Sequence, residues 1–379
     1  MLVFELGYRA PSAREAVRAV RRWQAASYFG SFSLPVCILH AEPLIAYSGI
    51  IPRAPLGVAS LLGASMWGKP AWFLVSPTWS IENHAAAGQL RRAAVRHRML
   101  HPRHRIVFLC NTDGETGLMR SFGEAAITHN KTTNTSEQVF RPLEGATQEF
   151  DAVYTAQLAP WKRHELSVEI PKCAFIYYRG ISSTSDSEAA LISRHLRAAP
   201  NHVFVNEFNE AGVPIRLDPA TVNHHLNRAA VGLCLSAEEG AMFASVEYLL
   251  AGLPVVTTPN RGGRDFYVDG EFCLTVPDDP REIAAAVAAL KARAIPREAI
   301  RQRALKRIQP ERDKFIDLVN AIYREAGIEE TFNGVWPLKR PVVMQWFKRR
   351  RARRLAVRGA VDEVVISASA SRSGKPERR

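Results

Sequence analysis

One run, Val231 to Asp269 (VGLCLSAEEGAMFASVEYLLAGLPVVTTPNRGGRDFYVD), constrains the fold more than any other part of the sequence. Residues 231–235 are short and wholly apolar, the pattern of a strand buried on both faces of a parallel sheet. A turn carrying Glu238, Glu239 and Gly240 follows. Phe243, Val246, Leu249 and Leu250 then recur at helical spacing, and Gly252 supplies the stop. Pro254 leads into a second apolar run, Val255-Val256-Thr257, and Gly262-Gly263 into a tight loop. Strand, turn, helix, strand and glycine loop make one βαβ unit, which commits the chain to the α/β class. Glu239 falls at the carboxyl end of the first strand, beside a helix N-terminus, and Glu247 lies eight residues later inside that helix. Open α/β sheets bind ligands at this end of their strands, and helix N-termini attract phosphate. A carboxylate so placed can accept hydrogen bonds from sugar or ribose hydroxyls while the helix end faces a diphosphate. Taken singly, either glutamate reads better as a solvated acid at a loop edge.

The rest of the chain alternates in the same manner. Strands are expected at 1–6, 34–40, 71–75 and 103–110, and again at 151–158, 173–178, 202–206, 213–217 and 273–276. Helices are expected at 11–23, 56–67, 89–101, 116–122, 188–198, 218–228 and 281–290. This alternation predicts parallel, doubly wound sheets. With 379 residues there is material for two domains of ordinary size. Residues 143–150 are expected to link an N-terminal domain, 1–145, to a C-terminal domain, 151–330.

Five scattered cysteines lack metal-ligand spacing and are odd in number, which fits a reducing cytoplasm. The N-terminus lacks the order of a signal peptide, and the apolar segment 55–75 is interrupted by glycines, Lys69 and Pro70, so no membrane span is expected. A formal charge of +13 favours polyanions or an anionic bilayer, and describes an ordinary basic surface equally well. Segment 331–358, with Trp336, Trp346 and Phe347 beside KRRRARR, reads as a basic, aromatic helix. It suits anionic lipid head groups, a nucleic-acid patch or plain solvent. The polar tail 359–379 reads as disordered.

Glu239-Gly240, Glu247-Tyr248, Gly252-Leu253-Pro254-Val255-Val256 and Gly262-Gly263 together resemble the E-x7-E signature of retaining glycosyltransferases of the GT-B fold, family 4 or group 1 type. Four linked features in order, after a small-residue turn, are far more specific than a lone glycine motif. The resemblance runs continuously over 151–295 and is weaker over 34–142, where Asn130, Phe140 and Pro142 match the family's junction motif. It implies two Rossmann-like doubly wound domains facing a cleft, with the N-terminal one shortened or divergent.

By the same resemblance, Glu239 contacts the transferred sugar and Glu247 binds the ribose. Lys162 falls where the family lysine grips the donor diphosphate. Amides around Ala241, Met242 and Phe243 assist it, and Gly240, Gly262 and Gly263 leave room for the donor. Met242 replaces a common second glycine and narrows the sugar pocket. Gln157 stands in place of the family arginine, with Arg163 and Arg264 the nearest substitutes. Ser76-Pro77-Thr78 stands where relatives carry a histidine, with His40 and His84 as the nearest replacements.

The resemblance implies retaining sugar transfer from a nucleotide-sugar to a glycan or lipid-linked acceptor, with no metal or other cofactor, in the cytoplasm or on the cytoplasmic membrane face. The missing arginine and histidine motivate a second reading, an inactive binding or regulatory protein on the same fold. A basic nucleic-acid binder ranks third, because the clearest motif is built around carboxylates, which repel phosphate backbones; no specific nucleic acid is expected.

Overall fold

Short apolar runs separated by amphipathic helices can bury both strand faces only by stacking as parallel sheets between helical layers. The structure, a computed structural model, describes residues 36–338 apart from 63–65, 179–183, 211–212, 335 and 337. The expected strand 1–6, the basic helix 11–23, most of segment 331–358 and the tail 359–379 lie outside the described residues.

Strands β1 (Val36–His40), β2 (Leu44–Ile50), β3 (Ala71–Pro77), β4 (His104–Cys110) and β5 (Ala126–Thr128) form the first sheet, in that order. β1 runs antiparallel to β2 and the remaining pairs are parallel. Helices α1 (Val58–Leu62), α2 (His84–Leu100) and α3 (Asp113–Ser121) connect the parallel strands. The antiparallel hairpin at its edge departs from the all-parallel pairing expected of strand 34–40.

The second sheet contains β6 (Phe150–Gln157), β7 (Cys173–Tyr178), β8 (Val203–Phe204), β9 (Ala229–Cys234), β10 (Val255–Thr257) and β11 (Cys273–Thr275). Its order is β11-β10-β9-β6-β7-β8, parallel throughout. That is the doubly wound Rossmann order, with the reversal between β6 and β9, and a crevice opens at the carboxyl ends of those two strands. Helices α4 (Ser185–Ala198), α5 (Pro219–Asn227), α6 (Phe243–Leu250) and α7 (Pro280–Ala292) cover it. Three begin at a side chain that accepts from the first turn: Thr184 for α4, Asp218 for α5 and Asp279 for α7. The strand expected at 213–217 does not form; only Pro214 makes a bridge, to Phe208.

Helix α8 (Arg297–Glu325) joins the two halves. Ile300, Ala304 and Ile308 sit in the core of the second sheet. After Pro310, Phe315, Val319, Ile322 and Tyr323 sit in a core with Ile45, Tyr47, Trp72 and Leu109 of the first sheet. Helix α8 thus crosses from the second sheet to the first. Trp336, from that later segment, packs on Phe315 with ring centroids 5.8 Å apart.

Arg312 fixes this crossing. It is 3% exposed and donates to the Thr133 and Thr135 carbonyl oxygens at 3.3 and 2.9 Å, and to both Glu137 carboxylate oxygens at 3.0 and 2.7 Å. Replacing Arg312 with alanine strips two buried carbonyls and a carboxylate of their donor. The expected loss is about 2–4 kcal/mol, read from the urea midpoint.

One device recurs in both sheets. His97 in the last turn of α2 bonds His104 at 3.0 Å, and His104 also meets the Met66 carbonyl oxygen at 3.2 Å. His195 in the last turn of α4 bonds His202 at 2.9 Å, and His202 meets the Ile170 carbonyl oxygen at 2.7 Å. The capping residues between them, His101 and Ala199, adopt nearly the same backbone angles, φ −136° with ψ 72° and φ −138° with ψ 77°. Phe73 lies against the first pair and Phe175 against the second.

Candidate active site

The strand order places the site. The turn after β6 carries Lys162 and the turn after β9 carries Glu239, so neighbouring strands on the two sides of the reversal deliver the two side chains to one place. Their ammonium and carboxylate form a direct ion pair, 10% and 15% exposed at the side chains. The Lys162 turn is a short 3-10 segment, Pro160–Lys162, held by the Tyr154 hydroxyl, which donates to the Lys162 carbonyl oxygen at 2.7 Å.

Glu247 projects from the middle of α6 and keeps part of its surface open. Desolvation pushes its carboxyl up to about 7, with Arg216 the opposing charge. Tyr178, at the end of β7, connects the two glutamates: desolvation first, then Glu239 and Glu247, raises its hydroxyl above the ordinary range, while a hydrogen bond with Gln157 counters them. Gln157 thus reaches the site through Tyr178.

Gly262 has φ +96°, and a side chain there would run into the Glu239 carbonyl oxygen and meet Ser80 at 3.1 Å. Around Gly240 the chain of Thr78 and Trp79 comes within 2.8 Å of where a Cβ would stand. These glycines let the first-sheet loops close directly on the second-sheet loop. The closure is hydrogen-bonded: the Asn130 side-chain amide donates to the Gly263 carbonyl oxygen at 2.8 Å and to that of Asn111 at 3.1 Å.

The cationic substitutes are engaged elsewhere. Arg163 donates to the Leu235 carbonyl oxygen at 2.5 Å, Thr258 Oγ1 at 2.7 Å and Asp278 at 2.5 Å. Arg264 is 1% exposed, and its donors go to the Ser236 and Thr258 carbonyl oxygens, Thr257 Oγ1 and Asp265. Both arginines brace the loops after β9 and β10: Arg264 is buried among its partners, and Arg163 is paired with Asp278. His40 meets the Pro43 carbonyl oxygen at 2.8 Å and packs edge-on to Tyr323, away from Glu239. His84 is the exposed first residue of α2 and lies against Phe122. Neither histidine touches Glu239 or Lys162.

Two further groups carry no motif in the sequence. Glu115, fully buried, accepts from the backbone N–H groups of Ile81 and Asn111 at 3.0 and 2.7 Å, and desolvation pushes it up to about 7. Lys131 opens a 3-10 turn, Lys131–Asn134, directly after Asn130. It is 6% exposed, and burial pulls its ammonium down to about 8 against the attraction of Glu239 and Glu115. The one visible signal for Lys131 is its place beside Asn130, the residue matching the family's junction. Among the described residues, no three His, Cys, Asp or Glu side chains converge in a way that would hold a metal ion. No described helix is long and apolar enough to cross a membrane.

Residues 197–293 match the family described as glycosyl transferases group 1. No curated protein sequence matches the chain. Among solved structures, HepE of Anabaena, crystallised with UDP and glucose, is similar with a TM-score of 0.51 and 15% identity over 72% of this chain and 77% of HepE. Sucrose-phosphate synthase of Thermosynechococcus elongatus is similar at 0.51 and 13%, over 71% of this chain and 79% of that one. TarM is similar at 0.51 and 14%, over 72% of this chain and 54% of TarM, so the chain spans about half of that relative's length. At such identities the structural likeness is one of fold. That fold, the matched segment and the Glu239 turn agree: the chain has the fold of the GT-B glycosyltransferases, and its residues 197–293 match the group 1 glycosyl transferase family.

Proposed function

We propose that the chain transfers a sugar from a nucleotide-sugar to an acceptor hydroxyl, with retention at the anomeric carbon and without a metal ion. The Lys162–Glu239 ion pair at the reversal of the second sheet, with Glu247 half-open on the adjoining helix, carries this reading. Donor arrival exchanges that pair for two new contacts. Lys162 turns to the diphosphate, neutralising charge as it leaves, and Glu239 accepts from a sugar hydroxyl. Glu247 takes the ribose hydroxyls. Fixed charges aimed at a developing anion commonly lower a reaction barrier more than any other device. HepE binds UDP and glucose, which makes uridine donors the first to try. The acceptor is a glycan or a lipid-linked glycan, approached from the first sheet; the basic segment 331–358 assists at an anionic membrane surface on the cytoplasmic side.

A panel of nucleotide-sugars screened by melting temperature tests the proposal. One donor should raise it, since a ligand bound only by the folded state stabilises that state, and the same donor should support transfer in the presence of a chelator. A donor-dependent shift without transfer to any acceptor would favour the second reading, a binding protein, motivated by the glutamine at 157 and by Ser76-Pro77-Thr78 in place of the family histidine. No shift with any donor would sink both.

A further inference from the structure

The cleft holds an ammonium that the ion pair does not use. Lys131 is more than nine-tenths buried, and among the described residues its Nζ has neither a hydrogen bond nor an ion-pair partner. A buried lysine in that state is costly and needs an anion or must give up its proton. Its position is well fixed. Asn130 clamps the preceding residue onto Gly263 across the cleft, and the Lys131 backbone N–H donates to Asn111 Oδ1 at 3.4 Å. The charged groups facing it are Glu239 from the turn after β9, Glu115 from α3 and Lys162 from the turn after β6. Of these, Glu115 accepts from two backbone N–H groups and Glu239 is taken by Lys162. Two lysines therefore flank one carboxylate, one from each side of the cleft.

We propose that Lys131 and Lys162 form a two-sided clamp for a diphosphate, in which the first-sheet lysine supplies the second cation that Gln157, Arg163 and Arg264 do not. The inference deepens the donor reading and rests on it for the identity of the ligand. A diphosphate held from both sides would bridge the two sheets across the cleft that Asn130 and Gly263 already close.

The test uses UDP, inorganic pyrophosphate and uridine with the full chain and its Lys131→Met and Lys131→Arg variants, by calorimetric titration. Loss of one charge-assisted contact should weaken UDP and pyrophosphate by about 10- to 100-fold in Lys131→Met, leave uridine unchanged, and be largely restored in Lys131→Arg. Lys131→Met should melt no lower than the parent, because it removes an unpaired buried charge; this separates lost binding from lost folding. Lys131 loses its proton as pH rises through about 8. UDP affinity of the parent should therefore fall above that value while that of Lys131→Arg stays level. Equal affinities in parent and Lys131→Met, or no binding of either phosphate ligand to the parent, would overturn the clamp. Pyrophosphate binding that depends on Lys131 in a protein inert to every nucleotide-sugar would keep the clamp and remove the transferase reading.

Discussion

Glu239→Gln should lower sugar transfer by about 100- to 1,000-fold, the range seen when one fixed polar group is withdrawn from a developing charge. The same variant should bind UDP at least as tightly as the parent. In the free protein Glu239 holds the Lys162 ammonium, so donor phosphate competes with a carboxylate for that cation. Glutamine keeps the shape and weakens the competitor, and the gain in UDP affinity should approach 10-fold, the worth of part of one charge-assisted bond. Steady-state kinetics and titration with UDP read the two effects separately. A merely structural glutamate would lower both together. Unchanged transfer in Glu239→Gln would remove the proposed role.

Mild acid should unfold the protein steeply. Five buried histidines are held far below their ordinary value of 6.5 by desolvation: His97 and His164 at about 3, and His101, His129 and His195 at about 4, with neighbouring charges adding to the effect. Each stays neutral in the fold and becomes charged in the unfolded chain, so its contribution is complete above pH 6.5 and is lost as pH falls towards 4. Glu115 and Glu247 work in the opposite sense, since both are raised to about 7 and favour the fold as pH falls from there towards 4.5. The histidines outnumber them, which leaves a net uptake of about three protons on unfolding near pH 5. At ~1.4 kcal/mol per proton and pH unit, stability should fall by about 4 kcal/mol for each unit there. Urea midpoints at pH 7, 6 and 5 measure it. A flat profile over that interval would mean that these rings are solvated or paired.

How much of the molecule is legible in the sequence depends on how many constraints act locally. The run around Glu239 specifies itself: an apolar strand, a short turn, a helix stopped by Gly252 and a second apolar strand appear as β9, α6 and β10. Leu44–Ile50 does not announce itself as a strand, because all seven of its residues are buried and show no alternation, and three turn residues separate it from β1. The 29-residue α8 escapes notice for a related reason. Its apolar positions serve one core before Pro310 and another after it, so no single face persists along its length. Segment 213–217 is apolar enough to read as a strand, yet its bonds to 206–209 form a local bridged turn rather than a ladder with the sheet. In the site, Glu239 and Lys162 are visible through their motif, whereas Lys131 and Glu115 come into play only when the two sheets meet. The arginines at 163 and 264 show the converse: charge is plain in a sequence, but its partners are not.

Helix α8 belongs to both hydrophobic cores, and this ties the fate of one lobe to the other. Melting either lobe withdraws a wall from the other, so the two should lose stability together, and a gene cut between the sheets would leave the first lobe without the helix that completes its core.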